Sequence, residues 1–383
     1  MKVALAHDFL LEYGGAERVL ETLHEMWPEA PVYTAFLDKE KLGSHWERLE
    51  SWDIRASWGQ KVPGLRALVS PLRFLAPLYF ESFDLSKYEL VISSSNMYQA
   101  KAVITRPETL HLCYCHTPPR SLYGYTTKTD WRRHWWSRWY GEVVNFKLRQ
   151  VDFVLAQRPD VIVANSQETQ KRIKKFWRRD SIVVYPPVGI SQGVALRGQG
   201  HPLRRGDYFL YVGRLAKMKG VDLAIRACNE LKLPLKIVGT GAGEEYLRSI
   251  AGKTIEFLGS VDDEQLGELY AGCKAVIFPA EDEDFGIVPV EAMGYGKPVI
   301  AHNSGGVRET VVDGKTGILF DELSLGGLVK VIKKFSVVSD QFSVKDIKKQ
   351  AEKFSKDRFQ DQMRKLVESE REKLNLNLTD RLE

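Results

Sequence analysis

The feature that most constrains this chain is a doubled alternation of short apolar runs with helix-period or crossover-length segments, in two series divided by a glycine-rich stretch. In the first series Val3 to His7 reads as a buried strand and the loop after it ends in Gly14-Gly15. Ala16 to Met26 then places Val19, Leu20, Leu23 and Met26 at helical spacing, and Pro28 stops it. Strand-like runs follow at Leu90 to Ser93, Leu110 to Cys115 and Val161 to Ala164. Residues 189–207, polar and glycine-rich after Pro186-Pro187, read as a linker. The second series carries strands at Tyr208 to Val212, Leu235 to Val238, Ile255 to Leu258, Ala275 to Phe278 and Pro298 to Ala301, with helical segments between them. Such alternation predicts parallel sheets covered by helices, and 383 residues exceed what one core usually serves. Two Rossmann-like α/β domains are therefore expected, at 1–188 and 208–350, with a helical segment over 351–383.

In sheets of this kind ligands bind beyond the carboxyl ends of the strands, where loops meet helix N-termini. Glycines stand at those places: Gly14, Gly15, Gly213, Gly239, Gly259, Gly286, Gly305 and Gly306. Each alone is ordinary turn chemistry, but together they suggest a site for nucleotide phosphates. The richest stretch is Glu281 to Met293, an acidic loop feeding an apolar helix through Asp284, Phe285, Gly286, Ile287 and Val288. Gly286 allows close backbone approach and the first helical turn can face anionic oxygens. Glu283 and Glu291, eight apart, could reach sugar and ribose hydroxyls; they could equally be exposed acids that a helix start favours anyway.

Here the chain resembles the retaining glycosyltransferase family 4. The E-x7-E signature with its E-x-F-G and E-A-M flanks continues through Gly296-Lys297-Pro298, Ser304-Gly305-Gly306 and Asp313-Gly314-Lys315-Thr316-Gly317. Upstream, Gly213-Arg214-Leu215 with Lys219-Gly220 resembles the family's G-R-L…K-G element. Gly14-Gly15-Ala16-Glu17-Arg18 resembles its entrance loop and Val163 to Ser166 its V-x-x-S element. Cys115-His116-Thr117-Pro118-Pro119 is similar to motifs of bacterial members that transfer mannose from GDP-mannose or act in surface-polysaccharide assembly. The resemblance implies a GT-B fold, two such domains facing across a cleft, with the last helix returning to the N-terminal domain. It implies that Arg214 and Lys219 meet the donor diphosphate, Glu283 and His116 the sugar, and Glu291 the ribose. The nucleotide sugar is then a substrate, the acceptor a saccharide, and no cofactor or metal is expected, because side-chain cations offset the charge on the leaving diphosphate.

Rival readings leave marks of their own. Gly239-Thr240-Gly241-Ala242-Gly243 begins like a dinucleotide fingerprint, yet Glu244 stands where its last glycine belongs. Asp282-x-Asp284 matches the manganese-binding D-x-D of another glycosyltransferase fold, and a sugar-nucleotide epimerase or a silent binder would share the same architecture. Cys113, Cys115, Cys228 and Cys273 lack the partners of a zinc set and read as small core residues of a cytoplasmic protein. No apolar run is long enough to span a bilayer. Residues 120–180 nevertheless hold fourteen Lys and Arg against six Asp and Glu, in a chain of net charge +5. Trp131, Trp135, Trp136 and Trp139 stand among arginines there, and Arg172, Lys174, Lys175, Arg178 and Arg179 flank Phe176-Trp177. A solvated basic face is the plain reading; tryptophans among cations also suit an anionic membrane carrying a lipid-linked acceptor, whereas no nucleic-acid motif is present.

Overall fold

The computed structural model describes residues 1–69, 71–97, 99–125, 134–189 and 206–379. The chain forms two compact units, Met1–Pro187 with Asp357–Glu383, and Val188–Lys356. Most of the expected linker, 190–205, lies outside the described residues.

The first unit is built on seven parallel strands: β1 (Val3–His7), β2 (Val32–Thr34), β3 (Ile54–Ala56), β4 (Leu90–Ser95), β5 (Leu110–Cys115), β6 (Val161–Ala164) and β7 (Ile182–Val183). Their order is β3-β2-β1-β4-β5-β6-β7. β1, β4 and β5 are buried along their whole length, which is why apolar residues such as Val3 to Ala6 and Leu90 to Ile92 stand side by side rather than alternating with charged ones. Cys113 and Cys115 are buried on β5.

The second unit holds six parallel strands: β8 (Phe209–Val212), β9 (Leu235–Val238), β10 (Ile255–Gly259), β11 (Ala275–Phe278), β12 (Val299–His302) and β13 (Gly317–Phe320). They lie in the order β10-β9-β8-β11-β12-β13. Each sheet reverses its winding once, between β1 and β4 and between β8 and β11. Strands diverging to opposite sides leave a crevice at that point, beyond their carboxyl ends.

The last helix, Lys356–Thr379, packs on the first unit: Phe359, Met363 and Val367, four residues apart, join Val3, Leu5 and Leu112 in one apolar cluster. Phe359 meets Tyr114 edge-on at 5.7 Å, and Arg371 pairs with Glu89 at 2.7 Å. The return begins at Asp357 rather than at 351. Residues before it stay with the second unit because Val188 N–H donates to the Phe354 carbonyl at 3.0 Å and Phe354 packs on Phe285.

The basic, aromatic segment contains a helix of 21 residues, Trp135–Leu155, which buries Gly141, Asn145, Leu148, Asp152 and Leu155. Asp152 forms a fully buried ion pair with Lys101 at 2.6 Å. Its second oxygen accepts from Trp177 Nε1 and from the Tyr123 hydroxyl, both at 2.7 Å. Full satisfaction of this kind is what lets a charge pair sit in a core. Two of the residues grouped with the exposed basic face are therefore interior. Trp177 is completely buried, and Arg172, 2% exposed, donates to Glu168 at 3.2 Å and to Thr117 Oγ1 at 3.3 Å. Trp131 lies outside the described residues.

Candidate active site

The crevice of the second sheet is furnished from both sides. After β8 the chain turns through Gly213 and Arg214 into a short 3-10 turn ending at Lys219. After β11 it runs through the acidic loop to Gly286, which opens the helix Ile287–Gly294. The two loops meet in an ion pair between Lys219 Nζ and Glu283 Oε2 at 2.6 Å, with both side chains partly open to solvent. Gly286, at the N-cap of the helix beginning at Ile287, has no side chain to cap it, so the first turn offers backbone N–H groups and the positive end of the helix dipole.

A residue pair outside the main signature holds this loop in place. Gly305, at φ +57°, and Gly306 pack backbone to backbone against it; a Cβ on either would fall 2.2 Å from the Glu283 carbonyl oxygen or 2.4 Å from that of Asp284. The Gly306 N–H donates to the Glu283 carbonyl at 2.7 Å, and the Asp282 N–H to Ser304 Oγ at 3.1 Å. Asp282 itself adopts φ +53°, a left-handed conformation uncommon for a residue with a side chain. Among the described residues no group of three or more His, Cys, Asp or Glu has the placement to hold a metal ion.

Other expected residues fall differently. Gly239 serves its neighbour strand: a Cβ there would lie 2.0 Å from the Gly213 carbonyl oxygen, so these two glycines let the ends of β8 and β9 approach. Phe285 turns its ring inward against Phe354 at 5.4 Å, leaving only its backbone to offer a ligand. Ile287 and Val288 are half-buried. Glu291 is buried and accepts a hydrogen bond from the Tyr270 hydroxyl at 2.9 Å, a partner the spacing of the acids did not announce.

The crevice of the first sheet holds a second polar group. His7 ends β1, Ser94 is its register partner on β4, and His116 follows β5. Ser94 Oγ lies 3.1 Å from His7 Nδ1 and 2.9 Å from His116 Nε2. Gly14 N–H donates at 2.8 Å to Glu17, whose other oxygen lies 3.4 Å from His7 Nε2. Burial pushes the His116 imidazole down to about 3, with the neighbouring His7 adding to the effect, so its ring is neutral. Gly14 and Gly15 thus open the helix Gly15–Met26, whose Glu17 reaches His7.

Residues 199–373 match the model of the family Glycosyl transferases group 1. The matched stretch is just under half of the 383-residue chain. An uncharacterized glycosyltransferase of Methanocaldococcus jannaschii is 27% identical over 203 residues, which are 51% of this chain and 55% of that protein. An alpha-1,3/1,6-mannosyltransferase of Dictyostelium discoideum is 26% identical over 290 residues, 64% of this chain and 66% of that one. The chain therefore spans between half and two thirds of those curated relatives. The crystal structure of Anabaena HepE in complex with UDP and glucose matches at a TM-score of 0.69 and 20% identity, covering 96% of this chain and 100% of that one. A likeness at that identity is one of fold, and it puts the two parallel-sheet α/β units in the GT-B fold class.

Proposed function

We propose that this protein transfers a sugar, with retention of anomeric configuration and without a metal, from a nucleoside diphosphate sugar to a saccharide acceptor. The observation that carries the reading is the meeting of Lys219 and Glu283 at the reversal point of the second sheet, beside an uncapped helix N-terminus. A cation, an acid and free N–H groups in one place suit a sugar joined to a diphosphate. Lys219 and Arg214 neutralise the departing diphosphate, Glu283 and His116 hold the sugar, and Glu291 takes the ribose. In the reaction the bond from anomeric carbon to phosphate oxygen breaks and a bond to the acceptor hydroxyl oxygen forms. The acceptor's proton passes to the departing diphosphate. Fixed charges aimed at that leaving group lower the barrier because they need no reorganisation as charge develops.

For the donor we take GDP-mannose, on the His-Thr-Pro motif at His116 and the likeness to a mannosyltransferase. A neighbour bound to UDP and glucose favours the second candidate, a UDP-hexose. A thermal-shift screen of sugar nucleotides tests this: GDP-mannose raises the melting temperature more than UDP-glucose if the reading is right. A larger shift with UDP-glucose reassigns the donor, and no shift with any sugar nucleotide removes the reading.

The acceptor is proposed to be lipid-linked and reached from the cytoplasmic surface of an anionic membrane. No helix among the described residues is long and apolar enough to cross a bilayer. On the helix Trp135–Leu155, however, Trp135, Trp139, Val143, Phe146, Phe153 and Val154 are exposed. At 3.6 residues per turn they share one arc of about 100°. Arg138 and Lys147 flank that arc, also exposed. An apolar stripe with tryptophans at one end and cations beside it fits the headgroup region of a bilayer.

A further inference from the structure

Four side chains at the crevice of the first sheet form a linear chain. Glu17 Oε1 lies 3.4 Å from His7 Nε2, His7 Nδ1 lies 3.1 Å from Ser94 Oγ, and Ser94 Oγ lies 2.9 Å from His116 Nε2. All four residues are buried. The other carboxylate oxygen of Glu17 accepts the Gly14 N–H at 2.8 Å, so the group is anchored. His116 Nδ1 has no hydrogen-bond partner among the described residues and is not among the sealed, unsatisfied atoms.

Each link has one proton to place, so the polarity of one end decides that of the other. A carboxylate only accepts, and His7 must therefore carry its proton on Nε2. With that imidazole uncharged its Nδ1 is bare, and the Ser94 hydroxyl donates to it. Ser94 Oγ then accepts from His116 Nε2–H, which leaves Nδ1 of His116 as a lone pair.

We infer that Glu17, His7 and Ser94 are positioning residues that fix the tautomer of His116, so that its Nδ1 accepts a hydrogen bond from a hydroxyl of the transferred sugar. The sugar contact rests on the function proposed above, and the tautomer does not. A bare nitrogen at this place also suits the positive charge that grows on the sugar ring as the diphosphate leaves, whereas an N–H would oppose it.

The test uses the full chain with 15N-labelled histidine at pH 8, His116 being assigned by the signal lost in His116→Gln. Wild type should show pyrrole-type Nε2 and pyridine-type Nδ1. In Glu17→Gln the amide oxygen keeps the Gly14 N–H and the amide NH2 faces His7 Nε2. Every link then reverses, and His116 should move to the Nδ1–H form. Ser94→Ala cuts the chain, and in that background Glu17→Gln should leave His116 unchanged, which also covers a poorly folded single variant. Wild-type His116 protonated on Nδ1, or a Glu17→Gln spectrum identical to wild type, overturns the relay. In sugar transfer Glu17→Gln should lower kcat by about tenfold or more with donor KM little altered. A reversed tautomer with unchanged kcat overturns the sugar contact while leaving the relay standing.

Discussion

Lys219 and Glu283 stand 64 residues apart in sequence and touch only because the reversal between β8 and β11 brings their loops together. If Lys219 neutralises the leaving diphosphate, Lys219→Ala should lower turnover by about a hundredfold, as loss of a transition-state charge contact typically does. Its side chain lies in a short turn outside the core clusters, so the melting curve should stay normal. Near-normal turnover would remove the diphosphate role. A second residue-level expectation concerns acid stability. Burial lowers both His111 and His116 from the ordinary 6.5 to about 3. Below pH 6.5 the unfolded chain takes up protons on these rings that the folded chain refuses. Their contribution is thus fully present above about 6.5 and is lost progressively as pH falls toward 3. The melting temperature should fall over that range, less steeply in His111→Gln; equal slopes would contradict it.

At the scale of elements, the stripe on the helix Trp135–Leu155 predicts co-sedimentation with vesicles that rises with anionic lipid content and falls with salt. A Trp135→Ser, Trp136→Ser, Trp139→Ser variant should lose most binding. A Lys174→Glu, Lys175→Glu, Arg178→Glu variant should reduce it, since those side chains are exposed. Binding indifferent to lipid charge and to both variants would point to a soluble acceptor. This helix also shows what the sequence could not convey. Its inner face sets Gly141, Asn145 and Asp152 among Leu148 and Leu155, because it buries an ion pair to Lys101 where an apolar stripe would otherwise run. Periodicity alone therefore missed it. Long buried strands such as β5 were legible because burial on both faces forces continuous apolar runs. β2 and β3, three residues each, were too short to register, and β7 and β13 also went unread. The acidic loop and Lys219 were each singled out through the resemblance, but their ion pair was not, since spacing along the chain does not show which loops meet. The Glu17 to His116 chain was not, since its members come from β1, β4, the end of β5 and a helix start.

For the whole molecule, both sheets wind the same way and place their polar groups at their reversal points, so the two halves obey one rule of ligand placement. The function proposed here is a claim about transfer rather than binding. It is tested most directly by measuring nucleoside diphosphate release from a sugar nucleotide, with and without a saccharide acceptor, in excess EDTA, and by assigning the new glycosidic linkage. The account predicts release that requires the acceptor, persists in EDTA, retains the anomeric configuration and nearly vanishes in Lys219→Ala. Release without acceptor, inversion, or activity abolished by EDTA and restored by manganese would contradict it.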